Sequence, residues 1–101
     1  MSEAIPYFDV EYFVNQALPS IARDLNVSVT DDGREELLIR MRPHEEKVAE
    51  DLTTGEMTLD ELHSILFSVI RKAASSAPNR LIDKSAISDA IKSECRYLGW
   101  C

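Results

Sequence analysis

The sequence predicts one domain of the α+β class in which helices dominate. Apolar residues recur at intervals of three and four along most of the chain, whereas the stretch 27–42 alternates. With 101 residues, 45% of them hydrophobic, the chain has material for one core and no room for a second domain. The predicted order is a kinked N-terminal helix, a β-hairpin and three helices (α-β-β-α-α-α) in a compact domain 1–101, with 1–6 flexible.

The first predicted helix covers residues 9–26. Asp9 is suited to the N-cap position, and Pro19 lies on the polar side, where a missing backbone hydrogen bond predicts a kink or a short break. The apolar stripe consists of Val10, Phe13, Val14, Ala17, Leu18, Ile21, Ala22 and Leu25.

The next stretch has the pattern of a β-hairpin. Residues 27–30 alternate between apolar and polar, and Asp31-Asp32-Gly33 has the composition of a tight turn. Leu37, Ile39 and Met41 then alternate with Leu38, Arg40 and Arg42. Because two strands alone are marginally stable, we expect helices to cover their apolar face or another chain to pair with their edge.

Three helices are predicted for the second half. The first covers about 43–52, with Pro43 in its first turn and a stop at Thr53-Thr54-Gly55. The second begins at Thr58-Leu59-Asp60-Glu61, which matches the capping box, and runs to about Ser76. The last extends from about Asp83 or Ser85 to Leu98 and ends at Gly99.

Charge is distributed unevenly along the chain. Acidic residues outnumber basic ones 8 to 4 in residues 1–43 and 7 to 1 in residues 44–61, whereas basic residues lead 6 to 3 in residues 62–101. Residues 44–61, here called the acidic segment, therefore hold most of the net charge of −7. A chain with pI about 4.7 repels phosphate on average, so any binding to nucleic acid must be local.

The acidic segment has two interpretations. It is either a solvated face that confers solubility, or a docking surface for a protein with a basic surface, such as a nucleic-acid-binding protein. The second predicts an inhibitor or adaptor that acts by occlusion, as small acidic proteins do, phage-encoded inhibitors of host defence among them. The predicted contacts are Glu45, Glu46, Glu50, Asp51, Glu56, Asp60 and Glu61.

Two alternatives remain open from the sequence. The last two helices resemble a helix-turn-helix pair, for which the nucleic-acid contacts would be Arg80, Lys84, Lys92 and Arg96. Alternatively, the chain is a homo-oligomeric structural protein, for instance a homodimer that associates through an exposed aromatic patch of Tyr7, Phe8 and Tyr12. Tyr7 and Phe8 also have an alternative role, because residues at this position can form a hydrophobic staple that packs against the first turn of the helix.

The sequence argues against an enzyme and against a cofactor. No nucleophile motif occurs, the 3 glycines form no phosphate loop, and His44 and His63 lack the spacing of metal ligands. No apolar run reaches the length of a membrane span, and residues 1–6 lack the pattern of a secretory signal. We therefore expect a non-enzymatic cytoplasmic protein without a metal or a membrane contact.

Overall fold

The computed structural model of the chain describes residues 8–98, and side chains for residues 8–94. This part is a helix-dominant α+β domain with a small parallel sheet. Three-residue 3₁₀-helices lie at Arg42–His44 and Pro78–Arg80. The elements are α1 (Val10–Leu25), β1 (Ser28–Val29), α2 (Asp31–Met41), α3 (Glu45–Thr54), α4 (Leu59–Ser76), β2 (Leu81–Ile82) and α5 (Lys84–Leu98).

α1 begins as the sequence predicts. The Asp9 side chain accepts a hydrogen bond from the backbone N–H of Tyr12 at 3.2 Å, which is the expected N-cap. The helix continues through Pro19 without interruption, with Pro19 on its exposed side. Asn26 closes it in the left-handed conformation, with φ 56°.

The predicted hairpin is wrong. Its second strand is the helix α2, and its turn, Asp31-Asp32-Gly33, is the first turn of that helix. Thr30 is the N-cap, because its hydroxyl accepts a hydrogen bond from the Gly33 N–H at 3.1 Å. Asp31 and Asp32 then lie where the positive end of the helix dipole favours carboxylates.

The residues 37–41 fit both periodicities, which explains the error. A strand would place Leu37, Ile39 and Met41 together on one face. In α2, Leu37, Leu38 and Met41 are buried whereas Ile39 is 58% exposed, which is the spacing of a helix. Good helix formers at 35–38 and the Thr30 cap therefore outweigh the short alternation.

The sheet pairs segments that are distant in sequence. β1 and β2 are parallel, with Ser28 opposite Leu81 and Val29 opposite Ile82. The Thr30 N–H donates to the Ile82 carbonyl at 2.9 Å, which extends the pairing to the start of α2. The sequence assigns residues 81–82 to the connection between the last two helices and predicts no strand there. A strand of two residues is too short to show a periodicity.

The helices of the second half agree with the sequence to within a few residues. α3 begins two residues later than predicted because Pro43 belongs to a 3₁₀-turn. Thr58 and Glu61 form the predicted capping box at the start of α4. At the start of α5, the Asp83 side chain accepts a hydrogen bond from the Ala86 N–H at 3.0 Å.

One contiguous core joins α1, α2, α4, β2 and α5. α3 contributes two buried residues, Val48 and Ala49, which lie outside that cluster. The fully buried core side chains include Val14, Ile21, Leu37, Leu66, Val69, Ile70, Ile82 and Ile87.

The junction of α2 with α5 and β2 is tight and partly polar. Glu36 is 6% exposed and pairs with Arg40 at 2.6 Å, and Arg40 donates a second hydrogen bond to the Ser88 hydroxyl at 3.0 Å. At Gly33, a Cβ would come within 2.8 Å of the Ile82 carbonyl oxygen. Glycine is therefore required there by the close approach of two backbones.

Candidate functional site

An open groove lies between the N-terminal half of α1, the end of α3 and the start of α4. It encloses about 1130 Å³. Its surface is mainly apolar, and its large apolar side chains are Phe8, Tyr12, Phe13, Leu52, Met57 and Leu59. The groove thus brings together residues that the sequence assigns to three separate segments.

The aromatic residues at the start of α1 have two different roles. Phe8 precedes the N-cap and packs on Phe13, with the ring centroids 5.5 Å apart and tilted by 51°. This contact is the hydrophobic staple, so Phe8 fixes the entry of the chain into α1. Tyr12 is 66% exposed and lies on the groove. Tyr7, the third member of the predicted aromatic patch, lies outside the described residues.

Backbone hydrogen bonds position the α4 side of the groove. Gly55 ends α3 with φ 84°, and the Met57 N–H donates to the Asp51 carbonyl at 3.1 Å. The capping box at Thr58 then makes Leu59 the first residue of α4, 59% exposed. The cap therefore fixes where α4 begins and places Leu59 on the groove.

Polar groups of the groove include two carboxylates and one imidazole. Asp9 is the cap of α1, whereas Asp60 and His63 lie one turn apart on α4. Asp60 is exposed and His63 is half-buried. The groove therefore combines an apolar surface with negative charge.

Two members of the acidic segment are used inside the fold. The Glu45 carboxylate accepts a hydrogen bond from the Val10 N–H at 2.9 Å, so it satisfies a free donor at the start of α1. Asp51 is half-buried and accepts a hydrogen bond from Lys47 at 3.1 Å. That carboxylate raises the pKa of Lys47 above its usual value of 10.5. Glu45 and Asp51 thus each have a hydrogen-bond partner within the domain.

The other carboxylates of the acidic segment are exposed and lie on different elements. Glu46 and Glu50 lie on the outer face of α3, and Glu56 lies in the loop after it. Glu61 accepts a hydrogen bond from the Thr58 N–H at 2.8 Å in the capping box, so it contributes to the start of α4. Of the seven predicted contacts, Asp60 lines the groove.

The basic residues predicted for nucleic-acid binding are divided as well. The Arg80 guanidinium donates to the carbonyls of Leu25, at the end of α1, and of Asn26, the latter at 2.7 Å. Lys84 and Lys92 are exposed on α5, and the side chain of Arg96 lies outside the described side chains. The connection between α4 and α5 contains a 3₁₀-helix and β2 in place of a tight turn. This geometry differs from a helix-turn-helix.

Sequence reasoning missed the groove because its apolar residues fit the core pattern. Leu59 belongs to the α4 stripe by spacing, and Leu52 and Met57 show no distinct periodicity. The available signal was the position of Leu59 directly after the cap, where a side chain points beyond the end of the packed helix.

Other site classes find little support in the described part of the chain. Residues 8–94 contain no group of three or more His, Cys, Asp or Glu side chains placed to hold a metal ion. Over the helices between residues 8 and 98, none combines the length and apolar content of a membrane span.

Comparison of the chain with protein-family models, with curated proteins and with solved structures finds no match.

Proposed function

We propose that this chain is a non-enzymatic protein-binding module whose groove holds a basic segment of another protein. It would act as an inhibitor or an adaptor, by covering a surface of its partner. The observation that carries the proposal is the pair Tyr12 and Leu59, each more than half exposed, on α1 and α4 in the lining of one groove.

Apolar exposure of this kind points to a partner. Single exposed apolar side chains are common, but a patch that is concave and rimmed with charge is typical of interaction sites. Tyr12 offers a large apolar ring with a polar end, a combination enriched at interfaces.

The charge of the chain favours a basic partner. Asp9 and Asp60 lie on the groove, and the exposed Glu46, Glu50 and Glu56 add negative charge beyond it. Complementary charge raises the association rate and disfavours acidic partners, and this effect weakens as salt screens it. A basic segment with apolar residues would therefore be selected over a neutral or an acidic one.

A matched pair of variants tests the groove. Leu59→Gln removes an apolar contact of the groove, whereas Ile39→Gln removes an equally exposed side chain on α2, outside the groove. The wild type and both variants serve as bait in a nuclease-treated cell lysate at two salt concentrations. We expect a basic protein to be retained by the wild type and by Ile39→Gln, less at high salt, and lost by Leu59→Gln.

A second pair tests the charge. Asp60→Asn neutralises a carboxylate of the groove, and Glu50→Gln neutralises an exposed carboxylate of α3 away from it. Retention should fall more for Asp60→Asn than for Glu50→Gln. Equal retention by all variants would contradict the groove as the contact. Retention that occurs in an untreated lysate and is absent from the nuclease-treated one would favour direct nucleic-acid binding through Lys84 and Lys92.

A further inference from the structure

We infer that the segment held in the groove is an amphipathic α-helix with apolar residues on one face and Lys or Arg beside them. This inference rests on the proposed function and names the form of the partner. Three features favour a helix: the mainly apolar surface of the groove, the position of the strand edges outside it, and the spacing of the groove residues on α1.

The groove offers few partners for the backbone of an extended chain. Its polar groups are side chains such as Asp9, Gln16, Thr58 and Asp60, and most of its surface is apolar. An extended segment would bring N–H and C=O groups onto that surface without partners, at a cost of about 1–3 kcal/mol for each buried group. A helix satisfies those groups internally, so it presents only side chains to the groove.

The strand edges that an extended segment would need lie elsewhere. β1 and β2 are close to the C-terminal end of α1, where Asn26 leads into Ser28. None of the strand residues Ser28, Val29, Leu81 and Ile82 lines the groove, and its last α1 residue, Ser20, lies six residues before Asn26, about 9 Å at the rise of 1.5 Å per residue. Addition of a strand to the sheet is therefore geometrically separate from the groove.

The α1 wall has the dimensions of a short helix. Tyr12, Gln16 and Ser20 recur at intervals of four and form a stripe about 12 Å long at 1.5 Å per residue. A docked helix with anchors at i, i+4 and i+7 presents an apolar stripe of roughly 10 Å. Its basic residues, one turn from the anchors, would come within reach of Asp9 and Asp60.

Synthetic peptides separate helical from extended docking. Two peptides share the same length and the same numbers of Leu and Lys, one arranged with the helical period and one in strict alternation. A third keeps the helical order with Glu in place of Lys. Each peptide carries a fluorophore, and its anisotropy is followed on titration with the full chain at low salt.

We expect the helical Leu/Lys peptide to bind about tenfold more tightly than the alternating one, and the Leu/Glu peptide not to bind. Leu59→Gln should weaken the helical complex about fivefold or more, and Ile39→Gln less than about twofold. Circular dichroism of the mixture should show helix content above the sum of the separate components.

The outcomes distinguish the inference from the proposed function. Equal or tighter binding of the alternating peptide, still sensitive to Leu59→Gln, would overturn the helical form and leave groove docking intact. If no peptide binds in a manner that depends on Leu59, both are overturned. A dimer in sedimentation that Leu59→Gln dissociates would identify a second copy of the chain as the occupant and would overturn both as well.

Discussion

The two ends of α1 differ in how completely the rest of the chain covers them. Near its C-terminus, Arg80 binds the carbonyls of Leu25 and Asn26, and the two strands pair beside them. Near its N-terminus, Tyr12 projects into a groove of about 1130 Å³. Within one helix, the C-terminal end is satisfied by the fold and the N-terminal half leaves apolar surface open.

The residues that stabilise the fold differ from the residues that are available to a partner. Arg80 at the closed end and the Glu36–Arg40 pair of α2 have partners within the domain. At the open end, Leu59 and Tyr12 are exposed although caps and staples fix the backbone around them. A groove with a rigid frame binds without a large ordering cost.

The largest expected effect on stability is at the Glu36–Arg40 pair. Arg40→Met keeps the helix propensity and the hydrocarbon chain but leaves the buried Glu36 carboxylate without its guanidinium. We expect a loss of about 2–3 kcal/mol in the free energy of unfolding, measured by urea denaturation. The double variant Glu36→Met/Arg40→Met should recover most of it. If the single and double variants are equally unstable, packing and not charge determines the effect.

Gly33→Ala should have the next largest effect. The new Cβ would lie 2.8 Å from the Ile82 carbonyl, so α2 and β2 must separate. Overpacking of this kind costs about 1–3 kcal/mol, and the better helix propensity of alanine offsets up to ~1 kcal/mol of it. Urea denaturation should show a net loss of about 1–2 kcal/mol, with peptide binding to the groove unchanged. A gain in stability would contradict the close approach.

Glu45→Ala and Glu46→Ala compare two adjacent carboxylates of the acidic segment. Glu45 accepts the hydrogen bond of the Val10 N–H, whereas Glu46 is exposed on α3. We expect a loss of about 1 kcal/mol for Glu45→Ala and at most about 0.5 kcal/mol for Glu46→Ala, measured by thermal or urea unfolding. Equal losses would mean that the link between α3 and α1 contributes nothing to stability.

Leu59→Gln should have the smallest effect on stability and the largest on binding. Because Leu59 is 59% exposed, its replacement should change the unfolding free energy by no more than about 0.5 kcal/mol. A melting temperature close to that of the wild type, together with lost peptide binding, would show that Leu59 contributes to binding and little to stability. A large destabilisation would instead assign Leu59 to the core.

Features that depend on residues close together in the sequence could be predicted, whereas features that depend on distant residues could not. Asp9 and Thr58 mark their helices correctly because a cap involves residues three apart. The stretch 37–41 fits two periodicities, and the helix formers at 35–38 together with the cap at Thr30 decide for the helix. The hydrogen bond from Val10 to Glu45 joins residues 35 apart, so no local pattern indicates it.

The groove was only partly predictable for a similar reason. The sequence predicts Tyr12 as a self-association residue and Asp60 as a contact for a basic partner, and no sequence pattern indicates that they line the same groove. Leu59 has the spacing of a core residue, and its exposure follows from where α4 begins relative to α1. Periodicity gives the face of a helix, whereas exposure depends on which neighbour covers that face.

The contact of Arg80 with Asn26 joins residues 54 apart in the chain, and it has a consequence for folding kinetics. Closing so long a loop costs entropy before any contact compensates for it, so the helices should form first and the strands should pair late. Substitutions at Gly33 or Arg80 should then accelerate unfolding and leave the folding rate nearly unchanged. The closed end of α1 would thus set how long each molecule stays folded, and the open end would set what it holds during that time.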